Sequence, residues 1–235
     1  MGSIGGSRIL LLSSGIDSLC AFYTLNKPSC LHITSHSRYS AKELHSIYEF
    51  QERHLELSLE IVEMRCLRKF EEDDASIISR NSFFAHIGAL YADIVYLVCQ
   101  RGEQTIPDRS LRFFEDISAL LSYLHGRPKL VDAVFTQDTK QDMVKKYLEL
   151  GYPKEELLTT YSCESAEPGR CGQCKMCART AIALDYCSIL PEDFFVRDIW
   201  KWPDWQDYIR KMRNGLYEKR RTEQTLGVLS KRGLV

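Results

Sequence analysis

Short apolar runs alternate with amphipathic stretches over roughly the first 150 residues. Residues 8–12 (RILLL) have strand length, and a helix is predicted over 19–25, after a turn of small residues. Residues 30–34 predict a second strand. Residues 41–57 place Leu44, Ile47, Tyr48 and Leu55 on one side of a helix, as a period near 3.6 requires. A third strand is predicted over 59–64, then a helix over 83–92 opened by the capping residues Asn81 and Ser82. Residues 94–99 (IVYLVC) are apolar on both faces, as a central parallel strand must be. A helix over 111–124, a strand over 130–135 and a helix over 139–150 follow, the last closed by Gly151 and Pro153. Strands alternating with helices predict an α/β fold with a doubly wound parallel sheet. Ligands bind such sheets beyond the carboxyl ends of the strands.

The pattern changes after Gly151. Four cysteines cluster between residues 163 and 177, a helix is expected over 180–189, and WKWPDW (Trp200–Trp205) reads as an aromatic turn anchored on a core or a dimer contact. Residues 218–235, with Lys219, Arg220, Arg221, Lys231 and Arg232, read as a solvated basic tail or a contact for an anionic partner. The expected divisions are a flexible leader at 1–7, an α/β domain at 8–150 and a cysteine-bearing helical segment with its tail at 151–235.

Composition narrows the function classes. The formal net charge of −1 gives no global field for nucleic acid or an anionic membrane surface. No apolar run is long enough to span a bilayer, and no secretion signal is evident at the N-terminus. Gly6 stands where a myristoylation motif needs Ser or Thr. Nine cysteines make no even disulfide set, which suits a reducing cytoplasm. Cys20, Cys30, Cys66, Cys99 and Cys187 are scattered, most among apolar neighbours, and read as small core residues.

Two stretches carry chemistry. The first is SSGIDS (Ser13–Ser18), at the end of the first strand. Unpaired N–H groups at a helix start attract phosphate, small residues allow close approach, and Ser13, Ser14 and Ser18 add hydroxyls. The stretch lacks the lysine of a P-loop, and instead Asp17 stands at the helix start, which suits Mg²⁺ bridging to phosphates. The competing reading is a serine-rich turn with no ligand. The second stretch is CESAEPGRCGQCKMC, with Cys163, Cys171, Cys174 and Cys177. Four thiolates at this spacing suit structural Zn²⁺ in a closed tetrahedral site; an iron–sulfur cluster or free thiols are the alternatives.

SSGIDS resembles the SGGxDS loop of ATP pyrophosphatases (PP-loop enzymes), with Ser14 in place of the first glycine. A positive φ at that position would cost serine about 1 kcal/mol. Together with the cysteine spacing, the chain resembles the 7-cyano-7-deazaguanine synthase (QueC) family over roughly residues 8–190. Ser79-Arg80-Asn81 resembles that family's GRN segment, Ile106-Pro107-Asp108 its YPD segment, and Lys140 followed by Asp142 its KxE. The resemblance implies a Rossmann-like fold of the adenine nucleotide alpha hydrolase type. It implies ATP, Mg²⁺ and structural Zn²⁺ as cofactors, a deazapurine acid as small-molecule substrate, and a homodimer. The implied reaction adenylates the carboxylate of 7-carboxy-7-deazaguanine and transfers the acyl group to ammonia, giving an amide and, after a second activation, a nitrile.

By the same resemblance Ser13, Ser14, Gly15, Asp17 and Ser18 hold phosphates and metal. Asp17, Arg80 and Lys140 are the catalytic candidates, with Asn81 and Asp108 facing the base. The chain departs from the family at His36–Ser40 (HSRYS), at Cys99–Thr105 (CQRGEQT) and after Asp108, where Arg109 and Arg112 are nearest to the family's arginine. These departures imply a diverged relative of the kind found beside antiphage systems, acting on a different amine, including one on a protein. A tRNA-thiolating enzyme of the same superfamily and a non-catalytic nucleotide-binding module are the other readings.

Overall fold

The structure is a computed structural model that describes residues 6–73 and 76–235. In chain order the elements are β1 (Arg8–Leu11), α1 (Ile16–Thr24), β2 (Ser29–Thr34), α2 (Ser40–Arg53), β3 (Leu59–Glu63), α3 (Arg80–Tyr91), β4 (Ile94–Val98) and α4 (Leu111–His125). Then come β5 (Leu130–Val134), α5 (Lys140–Glu149), α6 (Lys154–Thr159), α7 (Lys175–Tyr186), α8 (Trp205–Arg213) and α9 (Lys219–Lys231). The five strands form one parallel sheet in the order β3-β2-β1-β4-β5. Leu10 sits opposite Cys30 on one side and Tyr96 on the other. The chain winds outward from β1 in both directions, so the turn after β1 lies at the point where strand order reverses.

Alternation along β1 feeds two cores. Leu10 packs with Leu19 and Phe22 of α1, Ile47 and Phe50 of α2, and Tyr147 of α5. Ile9 packs on the opposite face with Ala85 and Ala89 of α3 and Phe114, Ile117 and Leu121 of α4. Lys129 is buried beneath that face, where its ammonium caps α3 by donating to the carbonyls of Ala89 (2.6 Å) and Ala92 (2.8 Å). The five expected strands are all present, within a residue or so at most boundaries.

The C-terminal region departs further from expectation. α7 starts at Lys175 rather than 180, inside the cysteine cluster, because the Cys174 sulfur accepts from the Cys177 N–H and caps the helix. α7 joins two cores. Ala183 and Leu184 belong to the sheet's core, whereas Ala178, Ala181 and Ile182 pack with Trp202, Trp205 and Leu229. WKWPDW is thus an internal anchor that runs into α8, with the Trp205 indole N–H donating to the Ile199 carbonyl at 2.8 Å.

The basic tail is helix α9, with Val228 and Leu229 buried. Two of its arginines are spent within the chain. Arg220 grips Asp142 with two bonds of 2.8 Å, and Arg232 pairs with Asp185 and lies over the Trp200 ring. Residues 1–5 of the expected leader lie outside the described residues. Ser7 is tied to the sheet, its carbonyl accepting from the N–H groups of Asp93 (3.1 Å) and Ile94 (3.0 Å). Among the described residues no helix is long and apolar enough to cross a membrane.

Candidate active site

Among the described residues, three of the six non-glycine residues with left-handed backbone stand in turns at the carboxyl edge of the sheet: His36 after β2, Ser79 before α3 and Phe135 after β5. Such strain is held where surrounding structure over-determines it, and it gathers at functional sites. The turn after β1 lies at the same edge. There the Ser18 hydroxyl accepts from the Ser13 N–H (3.1 Å) and bonds the Ser13 hydroxyl (2.8 Å), while the Ser13 oxygen accepts from the Gly15 N–H (3.3 Å). α1 begins at Ile16, earlier than expected, so Asp17 and Ser18 sit in its first turn where the helix dipole is positive. Ser14 has no positive φ, so the glycine-to-serine departure carries no backbone strain. Its hydroxyl donates to the Tyr161 carbonyl (2.6 Å), and its own carbonyl accepts from the Tyr161 N–H (2.7 Å). A narrow cleft lies beside the turn, bounded by Ser13, Ser14 and Gly15, by Ile47 and Phe50 of α2, and by Thr160.

Asp17 and Lys140, distant in sequence, meet: the Lys140 ammonium donates to Asp17 Oδ1 at 2.5 Å. Lys140 is held there by a capping box in which the Thr139 hydroxyl and the Asp142 carboxylate each bond the other's backbone N–H. Burial pushes the Lys140 ammonium below the usual lysine range, against the opposing pull of Asp17. The other oxygen of Asp17 accepts from the Gln100 amide, and the Gln100 carbonyl oxygen accepts from Arg179 (3.2 Å). Arg179 also pairs with Glu103 at 3.0 Å, and Arg109 meets the same carboxylate at 2.8 Å. Burial alone would raise the Glu103 carboxyl, but the two guanidinium groups outweigh it and hold it at about 2. Gln100, Glu103 and Arg179 went unrecognised in the sequence. Gln100 and Glu103 lie in CQRGEQT, whose departure from the family pattern hid them; Arg179 follows the last cysteine by two residues, and that spacing was the available signal.

The remaining candidates form a second group. The Asp108 carboxylate accepts from the Asn81 N–H (3.1 Å), and the Asn81 amide donates to the Asp108 carbonyl (3.2 Å). One oxygen of Asp108 therefore caps α3. Arg80 contacts neither Asp17 nor Lys140. It lies over the Phe84 ring and donates to the Tyr39 hydroxyl at 3.4 Å. Tyr39 belongs to HSRYS, whose Arg38 clasps Glu71 at 3.0 Å. Arg112 is exposed and pairs with Asp116 at 3.3 Å.

The four sulfurs of Cys163, Cys171, Cys174 and Cys177 lie within 4.8 Å of one another, with Cys171 and Cys177 3.9 Å apart. Zn–S bonds near 2.3 Å in a tetrahedron place sulfurs about 3.8 Å apart, so the set fits zinc. Backbone N–H groups of Cys171, Gln173 and Cys177 point at three of the sulfurs at 3.3–3.4 Å, as thiolates require. Gly172 makes the turn with φ +67°, and a Cβ there would stand 2.1 Å from the Arg197 carbonyl oxygen. When bound, Zn²⁺ supplies a cross-link with no open coordination position.

The family model for "Queuosine biosynthesis protein QueC" matches residues 74–187. The chain is QueC-like. The match runs from the Arg80 turn through Lys140, the cysteine cluster and Arg179, just under half of the chain. The Ser13–Ser18 turn and the helices after Cys187 lie outside it. With this family comes ATP-using, ligase-type chemistry related to queuosine biosynthesis. No curated protein matches the QueC-like chain.

Proposed function

We propose that the chain is an ATP-dependent carbon–nitrogen ligase. It adenylates the carboxylate of 7-carboxy-7-deazaguanine, or a related acid, and passes the acyl group to ammonia or another amine. The observation that carries this reading is the pair between Asp17, in the first turn of α1, and Lys140, at the start of α5, beside the hydroxyl-lined turn at the strand-order reversal.

A carboxylate is a poor electrophile because oxide is a poor leaving group. Attack by the carboxylate oxygen on the α-phosphorus of ATP expels pyrophosphate and leaves an acyl phosphate whose leaving group is AMP. The amine then adds to the carbonyl, loses a proton and expels AMP, giving the amide. A nitrile requires a second activation, of the amide oxygen. Positioning and charge neutralisation are the main demands on the protein. Ser13, Gly15 and Ser18 offer hydroxyl and N–H donors to the departing phosphates. Mg²⁺, when bound, neutralises phosphate charge, and Asp17 is the carboxylate placed to hold it. Lys140 exchanges part of its bond to Asp17 for a phosphate oxygen, and its burial strengthens that contact. Asn81 and Asp108 hold the base-recognition segment, with the second oxygen of Asp108 left to accept from a guanine-like edge. The sheet with residues 8–150 supplies the nucleotide turn, and residues 151–235 supply the zinc-bearing wall.

The tRNA-thiolation reading is less well supported. Burial pushes the thiols of Cys30 and Cys99 up to about 12, which suppresses the thiolate needed to carry sulfur, and Cys66 is exposed without a cysteine near it in sequence. The test is pyrophosphate release from ATP and Mg²⁺ with and without 7-carboxy-7-deazaguanine, with mass spectrometry of products formed from ammonia. Acid-dependent release and an amide or nitrile product are expected. Release that ignores the acid, or none, would remove the ligase reading.

A further inference from the structure

A second chamber, small and partly open to solvent, borders the Lys140 and Gln100 side chains that meet at Asp17. One wall is Gln100, Lys140 and Gln141, continued by Arg179 and Ile182 of α7. The facing wall is Tyr208 of α8 with Arg221 and Thr225 of α9. These three last residues lie beyond the QueC match, which stops at residue 187. The chamber therefore has one wall inside the matched stretch and one wall on the helices that follow it.

The lining carries three cations and no acid. Lys140 and Arg179 keep only 4% and 14% of their side-chain surface exposed, and their counter-charges, Asp17 and Glu103, stand outside the lining. Arg221 differs from both. Its guanidinium donates to the Tyr208 hydroxyl (2.8 Å) and lies over the Tyr217 ring, both neutral groups. Among the described residues no carboxylate lies within ion-pair distance of it. Its position is not left to chance. Arg220 and Gln224 both bond Asp142, Gln224 accepts from Thr139 (2.6 Å), and Gln141 donates to Thr225 (3.3 Å). α9 is thus registered on the turn that carries Lys140. A half-buried cation without a counter-charge, facing two buried cations across a small chamber, is a costly arrangement unless an anion completes it.

We infer that this chamber is an oxyanion subsite and that Arg221 is its recognition residue. The inference rests on the ligase reading only for the source of the anion: the carboxylate of the acid substrate, or a phosphate group of the nucleotide. A guanidinium fork matches either group with two parallel N–H donors, which an ammonium cannot do.

The test is calorimetric binding to the full, zinc-loaded chain and to its Arg221→Gln and Arg221→Lys variants. The probes are pyrophosphate, 7-carboxy-7-deazaguanine and the uncharged amide of that acid. The anion that occupies the chamber should bind Arg221→Gln at least about tenfold more weakly, as loss of charge-assisted hydrogen bonds requires, and Arg221→Lys to an intermediate degree. The amide should not respond. A loss confined to the acid names its carboxylate as the occupant; a loss confined to pyrophosphate names a nucleotide phosphate. If both anions bind either folded variant as tightly as the unaltered chain, or neither binds the unaltered chain, the subsite is overturned. Pyrophosphate release separates the two readings: binding that depends on Arg221 without acid-dependent release keeps the subsite and removes the ligase.

Discussion

Asp17 accepts on both carboxylate oxygens at once, from Lys140 on one and Gln100 on the other. Asparagine at this position turns one acceptor into a donor that faces another donor, and it leaves a buried ammonium without its counter-charge. Asp17→Asn should therefore lower acid-dependent pyrophosphate release by about 100-fold or more. It should also cost about 3 kcal/mol in denaturant unfolding of the ligand-free chain. His32 makes a different demand. It is buried on β2 with Nδ1 bonded to the Leu12 carbonyl at 2.8 Å, so Nδ1–H donates and the neutral ring leaves Nε2 unprotonated. Burial lowers its pKa below the ordinary 6.5, so the unfolded chain takes up the proton first and stability falls as pH drops through the region below 6.5. His32→Asn, which keeps a donor for Leu12, should flatten that fall in melting temperature between about pH 6.5 and 5.

At the scale of elements, α9 shows where sequence pattern stops being informative. Residues 218–235 are dense in charge and carry few large apolar side chains, which is the pattern of a solvated segment. The structure makes Arg220 and Arg232 internal fasteners, and no periodicity can reveal that Arg220 meets Asp142 or that Arg221 faces Lys140. The sheet was legible because β1 and β4 read as apolar runs, and β2, β3 and β5 are short β-branched or leucine-rich stretches broken by only one or two polar residues, each ended by turn residues. SSGIDS and the four cysteines were legible because their chemistry is local. Gln100, Glu103 and Arg179 were not, since each acquires its role from a partner far along the chain. The Asp142 clamp has its own test. Burial would raise its carboxyl, but bonds from Arg220, Thr139 and Gln224 outweigh that and hold it well below the carboxylate range. Its stabilising effect is thus present above the ordinary carboxylate value and lost as pH falls through the folded one. Asp142→Asn should cost about 2 kcal/mol at neutral pH, read from urea unfolding, and much less near pH 2.

For the molecule as a whole, the cysteine cluster belongs to the same core as Trp202, Trp205 and Leu229, and α7 carries that core directly onto the sheet. Metal removal by a strong chelator should erase the tryptophan near-ultraviolet signal and ATP binding together, while far-ultraviolet helix and strand content falls only in part. Calorimetry and circular dichroism on one sample would check this, and ATP affinity that survives loss of the tryptophan signal would contradict it. The two bonds between Ser14 and Tyr161 bear on the order of assembly. During synthesis the serine-rich turn emerges among the first residues, yet the backbone that braces it emerges some 150 residues later, after every strand has been made. If the turn holds ATP as proposed, a nascent chain halted before Tyr161 has every strand and still lacks the brace of that turn, so competence for ATP would arrive as a late event on the ribosome.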